Sequence, residues 1–141
     1  MGKVSFYDVN YRNNLNPLYK DIRGDVWNNE DIGITSFFSI NQINKFINWL
    51  DLKPGMLILD ACCGNGQVIA YITQKTNTRS YGIDINKHSI ESAELSAQQK
   101  KIPIKFLKMD LKEKLPFPDK SLDAILCIES IIHFIKDAFL S

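Results

Sequence analysis

Cysteine and histidine are scarce in this sequence: three cysteines, Cys62, Cys63 and Cys127, and two histidines, His88 and His133. The cysteine count is odd, two are adjacent and none forms a C-x-x-C pair, so neither a disulfide framework nor a zinc site is expected. The histidines are too scattered to complete a metal site, and the thiols read as buried and reduced. No apolar run approaches the ~20 residues that span a bilayer. Met1 to Asn16 is polar and lacks the hydrophobic stretch of a signal peptide. These absences predict a soluble, cytoplasmic protein. An excess of one charge is missing too. The formal net charge of +1 leaves no electrostatic footprint for nucleic acid or an anionic membrane. Neither is expected as a partner.

What is present suits one globular core. Hydrophobic residues make up 45% and charged residues 23% of 141, a folding composition in a chain too short for two independent domains. Residues 1–38 are rich in Asn, Asp, Tyr and Phe without sustained periodicity, and read as an irregular or partly helical leader. From Ser39 the pattern changes. Ile40, Ile43, Phe46, Ile47 and Leu50 fall on one helical face, and Ser39 with Gln42 fits a capping box. Lys53-Pro54-Gly55 ends that helix.

Beyond it, Met56 to Ala61 reads as a strand buried on both faces, and Gln67 to Lys75 as a helix. Ser80 to Ile85 is expected as a second strand and Lys87 to Lys101 as a second crossover helix. Ile102 to Met109 would be the third strand, with Pro103 near its start, and Leu122 to Ile128 a fourth, buried on both sides. Ser130 to Leu140 begins another helix. This alternation predicts a doubly wound, mostly parallel α/β sheet over 39–141 with the leader attached.

Three features at successive strand ends mark a candidate ligand site. Leu59-Asp60-Ala61-Cys62-Cys63-Gly64-Asn65-Gly66 runs a buried strand into a glycine turn and then a helix. Glycine permits positive φ and lets a ligand lie on bare backbone, while the helix start offers free N–H groups. Asp84 ends the second strand, where an acid can take both hydroxyls of a ribose. Met109-Asp110-Leu111 ends the third, and a carboxylate there suits an adenine amine. Each alone is equally readable as a turn or a helix cap. Their joint placement at carboxyl ends of strands is where this architecture binds ligands. A dinucleotide fingerprint, G-x-G-x-x-G/A, is broken by Ile69 at its last small position, which disfavours pyrophosphate.

The series LDACCGNGQVIAYI, YGIDIN, FLKMDL and LPFPDKSLDAILCIESIIHF resembles the class I S-adenosylmethionine-dependent methyltransferases of small-molecule type, from about Leu52 onward. The resemblance implies that Asp60, Ala61, Cys62, Gly64 and Gly66 cradle the methionine end of the cofactor. By the same likeness Asp84 and Ile85 serve the ribose, Asp110 and Leu111 the adenine, and Cys127 with Glu129 line the site beyond the fourth strand. Glu129 and His133 are the implied catalytic candidates. The N-terminal segment is implied to be a lid, with Tyr11 and Tyr19 the candidates for ligand contact and 30–34 its hinge. S-adenosylhomocysteine would be the product and a small molecule the methyl acceptor. Cys62 departs from the family, standing where its turn has a first glycine.

The family sheet has seven strands in the order 3-2-1-4-5-7-6, and only the first four are legible. The sequence is therefore expected to be a fragment, a subunit whose open edge a second copy or another chain covers, or a truncated module that binds the cofactor without catalysis.

Overall fold

The computed structural model describes residues 16–26, 33, 38–128 and 130. Helix α1 (Pro17–Val26) lies within the leader. Helix α2 (Ile40–Trp49) starts at the expected capping box: Ser39 Oγ accepts from the Gln42 amide, and the Gln42 side chain accepts from the Ser39 amide. It turns Ile43 and Ile47 into the core, while Trp49 at its end is exposed. Then follow β1 (Leu57–Ala61), α3 (Gln67–Thr76), β2 (Arg79–Asp84), α4 (Lys87–Lys100), β3 (Ile104–Lys108) and β4 (Ala124–Leu126). Among the described residues no helix is long and apolar enough to cross a membrane.

The four strands form one parallel sheet in the order β3-β2-β1-β4. From β1 the chain steps outward to β2 and β3, then returns to the other side of β1 for β4. Between β1 and β4 lies the switch point that opens a crevice at the strands' carboxyl ends. Ile58, Leu59 and Ile83 on the strands and Ile69 and Ile72 on α3 are completely buried. At about 1.5–3 kcal/mol per buried side chain, this central layer supplies much of the folding drive.

Two polar devices hold the sheet in place. Asp123 anchors β4, its carboxylate accepting from the Leu57 amide at 2.7 Å while its own amide donates to the Leu57 carbonyl. Under α3, the Thr73 and Ser80 hydroxyls share a hydrogen bond of 2.6 Å, and Thr76 meets Thr78 at 3.0 Å. The threonines also donate to Ile69 and Ile72 carbonyls. Each of these buried hydroxyls is thus partnered, the condition for burying it cheaply.

Two expectations need correction. The third strand begins at Ile104, because Pro103 cannot donate to a ladder. The fourth spans three residues instead of seven and is not buried on both sides, Ile125 being 56% exposed. Among the described residues it pairs only with β1, at the open edge expected for it, and its apolar composition outruns its burial. The helix expected from Ser130 lies outside the described residues, apart from Ser130 itself.

Candidate functional site

The crevice is built from the ends of β1 and β2. Asp60 pairs in register with Gly82, and Asp84 lies two residues further along β2. With a period of two, the Asp60 and Asp84 side chains share one face of the sheet. After Ala61 the chain bends sharply at Cys62. The Cys63 amide continues the ladder to the Ile83 carbonyl at 2.9 Å, and the Gly66 amide closes the turn onto the Cys63 carbonyl at 2.9 Å.

Cys62 has φ +65°, the left-handed region that glycine favours. The residue that departs from the family pattern therefore occupies a glycine conformation. Such a conformation costs an ordinary side chain about 1–2 kcal/mol. Part of that is recovered because cysteine restricts the unfolded chain more than glycine does. Cys62→Gly is expected to raise stability by about 0.5–1 kcal/mol, measured as a higher urea midpoint at constant slope. An unchanged or lower midpoint would show that half-buried thiol packing outweighs the backbone strain.

Gly66 is also left-handed, at φ +72°. Its lack of a side chain also serves the packing beneath the turn. A Cβ there would stand 2.8 Å from the Phe106 ring and 2.9 Å from Ala93 Cβ. The same ring presses on Gly82, where a Cβ would meet it at 2.6 Å and Cys63 Sγ at 2.8 Å. Phe106 thus seats the glycine turn on the sheet. Gly82 is a residue the sequence reading missed. The available signal was a glycine inside a strand pattern, which marks close approach.

Asp84 is the best-organised acid. Its Oδ2 accepts from the Gly64 amide at 2.8 Å and its Oδ1 from the Asn86 amide at 2.8 Å. Asn86 in turn caps α4 through the Ser89 amide. A carboxylate offers about four acceptor positions, so these two bonds fix its plane and leave one position per oxygen. Asp110 is half-buried, and one of its oxygens caps the following turn at the Lys112 amide, 2.9 Å away. Leu111 and Cys127 are half-buried, and Ile85 stands 63% exposed beside Asp84.

Asp60 is 3% exposed, and burial pushes its carboxyl up to about 7, with the Asp84 charge adding to the rise. Burial likewise raises the Cys62 thiol to about 12, with the neighbouring Cys127 and Asp84 contributing while Ser130 lowers it by a hydrogen bond. Cys63 and Cys127 are raised too, chiefly by burial, so all three thiols stay protonated at neutral pH. Among the described residues no Lys or Arg forms an ion pair with Asp60 or Asp84. No group of three metal-ligating side chains occurs among them either.

The structure therefore brings together Asp60, Ala61, Cys62, Gly64, Asp84 and Cys127 at the ends of β1, β2 and β4. Asp110 and Leu111 follow β3, further along the same edge. Tyr11, Glu129 and His133 lie outside the described residues. Tyr19 is on α1, and its side chain is likewise outside them.

Residues 58–141 match the model of a family described as a methyltransferase domain. A sterol 24-C-methyltransferase of Gibberella zeae is 35% identical over 86 residues, covering 60% of this chain and 22% of its own length. A phosphoethanolamine N-methyltransferase of Triticum aestivum is 31% identical over 101 residues, covering 72% of this chain and 20% of its own. Among solved structures, a SAM-dependent methyltransferase from Geobacter sulfurreducens in complex with S-adenosyl-L-homocysteine superposes with a TM-score of 0.60. It is 19% identical, and the match covers 69% of this chain and 39% of that one, a likeness of fold. The chain thus spans about a fifth of the length of these curated relatives.

Proposed function

The chain belongs to the methyltransferase domain family, and from that premise we propose that it binds S-adenosylmethionine and serves methyl transfer to a small-molecule acceptor. The observation that carries this reading is the Asp84 carboxylate. It is pinned by the glycine turn on one side and the start of α4 on the other, with one acceptor position free on each oxygen. Two adjacent acceptors in a fixed plane suit a vicinal diol, and the ribose of the cofactor presents one.

Asp60 supplies the complementary charge. A buried carboxylate close to a second one, with no Lys or Arg paired to either among the described residues, makes a locally negative site. Such a site favours a ligand with ammonium and sulfonium groups and repels a pyrophosphate. Bound S-adenosylmethionine supplies a methyl group already activated by its sulfonium. The chain's own work is to bind and orient: Asp84 holds the ribose, Asp60 and the turn after β1 hold the amino-acid end, and Asp110 with Leu111 receives the adenine. Cys62 and Cys127, as neutral thiols, line the approach without adding charge. Glu129 and His133, both outside the described residues, are the groups proposed to serve the acceptor, imidazole being the side chain most often used as a general base. An unaltered methylation rate in His133→Ala would remove that role.

Calorimetric titration with S-adenosylhomocysteine, with NADH as comparator, tests the reading. Saturable binding of the former and none of the latter is expected. A folded chain that bound NADH, or neither compound, would overturn it.

The charge argument also sets a pH dependence. With Asp60 near 7, the carboxyl is largely neutral at pH 6 and ionised at pH 8. The ammonium group of S-adenosylhomocysteine should therefore bind more weakly at pH 6, by up to about tenfold per pH unit below 7. Asp60→Asn should flatten that profile. The folding linkage has the opposite sign. Asp60 is raised in the folded state, so its contribution is fully present below the unfolded value of 3.8 and is lost as pH rises through about 7. Thermal unfolding of the ligand-free chain at pH 6 and pH 8 should show the lower midpoint at pH 8.

A further inference from the structure

Asn65 sits between the two glycines of the turn, 6% exposed, yet points at no strand end. Both ends of its side-chain amide are engaged. Nδ2 donates to the Gly33 carbonyl at 2.8 Å, and Oδ1 accepts from the Gln67 amide at 3.4 Å. The first bond is short and links positions 32 residues apart; the second is long and local. Gly66, the residue before α3, has no side-chain cap of its own, so Asn65 stands in as the acceptor at that helix start.

Gln67 extends the connection. Its Nε2 donates to Ser96 Oγ at 3.0 Å and its Oε1 accepts from Lys100 Nζ at 2.8 Å, both on α4. Gly33 rests beside the same side chain, in a left-handed conformation at φ +80°. One polar chain thus runs from Gly33 through the glycine turn to α4. The turn it crosses also presents the Gly64 amide to Asp84.

We propose that Asn65 is a positioning residue of the ligand site, acting through its bond to the Gly33 carbonyl. That bond holds residues 64–66 at the height where the Gly64 amide meets Asp84, and so sets the plane of the carboxylate. The inference deepens the cofactor reading and rests on it for the ligand, though not for the coupling between Gly33, Asn65 and Gly64. The physical reason is satisfaction: the side-chain amide of Asn65, 6% exposed, loses about 1–3 kcal/mol if its donor is left unmade, so the turn follows the bond.

Asn65→Asp, combined with Gly33→Ala, separates positioning from plain support of the helix. It retains the acceptor for Gln67, and its charge at a helix start is favourable. It also replaces the donor to Gly33 with a second acceptor, which repels that carbonyl. Burying a new charge at a 6% exposed position has its own cost, so the double variant with Gly33→Ala decides. Residue 65 serving only the helix predicts additive losses, and residue 65 acting through Gly33 predicts losses that do not add. Gly33→Ala perturbs the same bond from the other side, since alanine is strained at φ +80° although its Cβ would make only an ordinary contact, with Gln67 Cγ 3.6 Å away.

The experiment measures amide hydrogen exchange over residues 63–70 and the S-adenosylhomocysteine dissociation constant in wild type, both single variants and the double variant. Exchange is expected to quicken around Gly64 in each variant, and affinity to fall roughly tenfold, with the double variant no worse than either single one. Unchanged exchange in Asn65→Asp would overturn the proposal whatever the ligand does. Additive effects in the double variant would overturn it too, by placing Gly33 and Asn65 on separate routes. Faster exchange in a chain whose wild type binds no S-adenosylhomocysteine would uphold the coupling and sink the cofactor reading instead.

Discussion

Replacing Asp84 with alanine is expected to weaken S-adenosylhomocysteine binding by at least about a hundredfold. Two hydrogen bonds from ribose hydroxyls to an ionised acceptor are worth about 1.5–3 kcal/mol each, and 1.4 kcal/mol is a factor of ten. The variant also removes the acceptor to which the Gly64 and Asn86 amides donate. It should therefore lose stability as well, by about 1–3 kcal/mol for each amide that finds no water. Asp84→Asn separates the two losses. It keeps one acceptor oxygen but turns an NH₂ toward one of the two amides, so intermediate binding is expected. Calorimetry reads the affinity and thermal unfolding the fold. A third readout is the pH profile. Removing the Asp84 charge takes away one of the two influences that raise Asp60, so the inflection should move to lower pH while burial keeps it above an ordinary carboxyl. Full binding by a folded Asp84→Ala chain would mean that the ribose lies elsewhere.

The second large effect is structural and arises one turn of the strand away. Gly82→Ala places a methyl group 2.6–2.7 Å from the Phe106 ring and 2.8 Å from Cys63 Sγ. Strand β2 is hydrogen-bonded on both sides, to β1 and β3, and has no freedom to retreat. Overpacking of this kind costs typically 1–3 kcal/mol and more where the backbone is held, so roughly 3 kcal/mol is expected by urea unfolding. Shrinking the ring offers the control. Phe106→Leu alone should destabilise by leaving space, and the pair Gly82→Ala with Phe106→Leu should be more stable than the sum of the singles implies. Simple additivity would place the strain somewhere other than the Phe106 contact.

These two residues differ in how they can be found. Asp84 was legible because its setting is local: a strand pattern, an acid at its end and a helix beginning three residues later. The capping box at Ser39 and Gln42 was legible for the same reason, since both partners lie within one helical turn. The parallel sheet followed from alternation, and its β3-β2-β1-β4 order agrees with the resembled family. The short β4 was misread because apolar composition reports a tendency to be buried, and whether a neighbour covers the strand is a tertiary matter.

Gly66 and Cys62 show the boundary within one loop. That a glycine turn follows β1 is written in the residues. That Gly66 turns its bareness toward Phe106, forty residues away, is not. Cys62 could be noted as standing in a glycine's place, but only the backbone angle of +65° showed that the place still demands a glycine conformation.

By itself, then, the sequence determined the succession of strands and helices, the turn after β1 and the acids at the strand ends, because period, capping and turn chemistry act over a few residues. Tertiary structure alone decided which backbone surfaces meet, how far burial and a neighbouring charge raise Asp60, and that Asn65 reaches back to Gly33. Contacts across tens of residues and the solvent excluded around them depend on where the whole chain closes, and no local pattern encodes that.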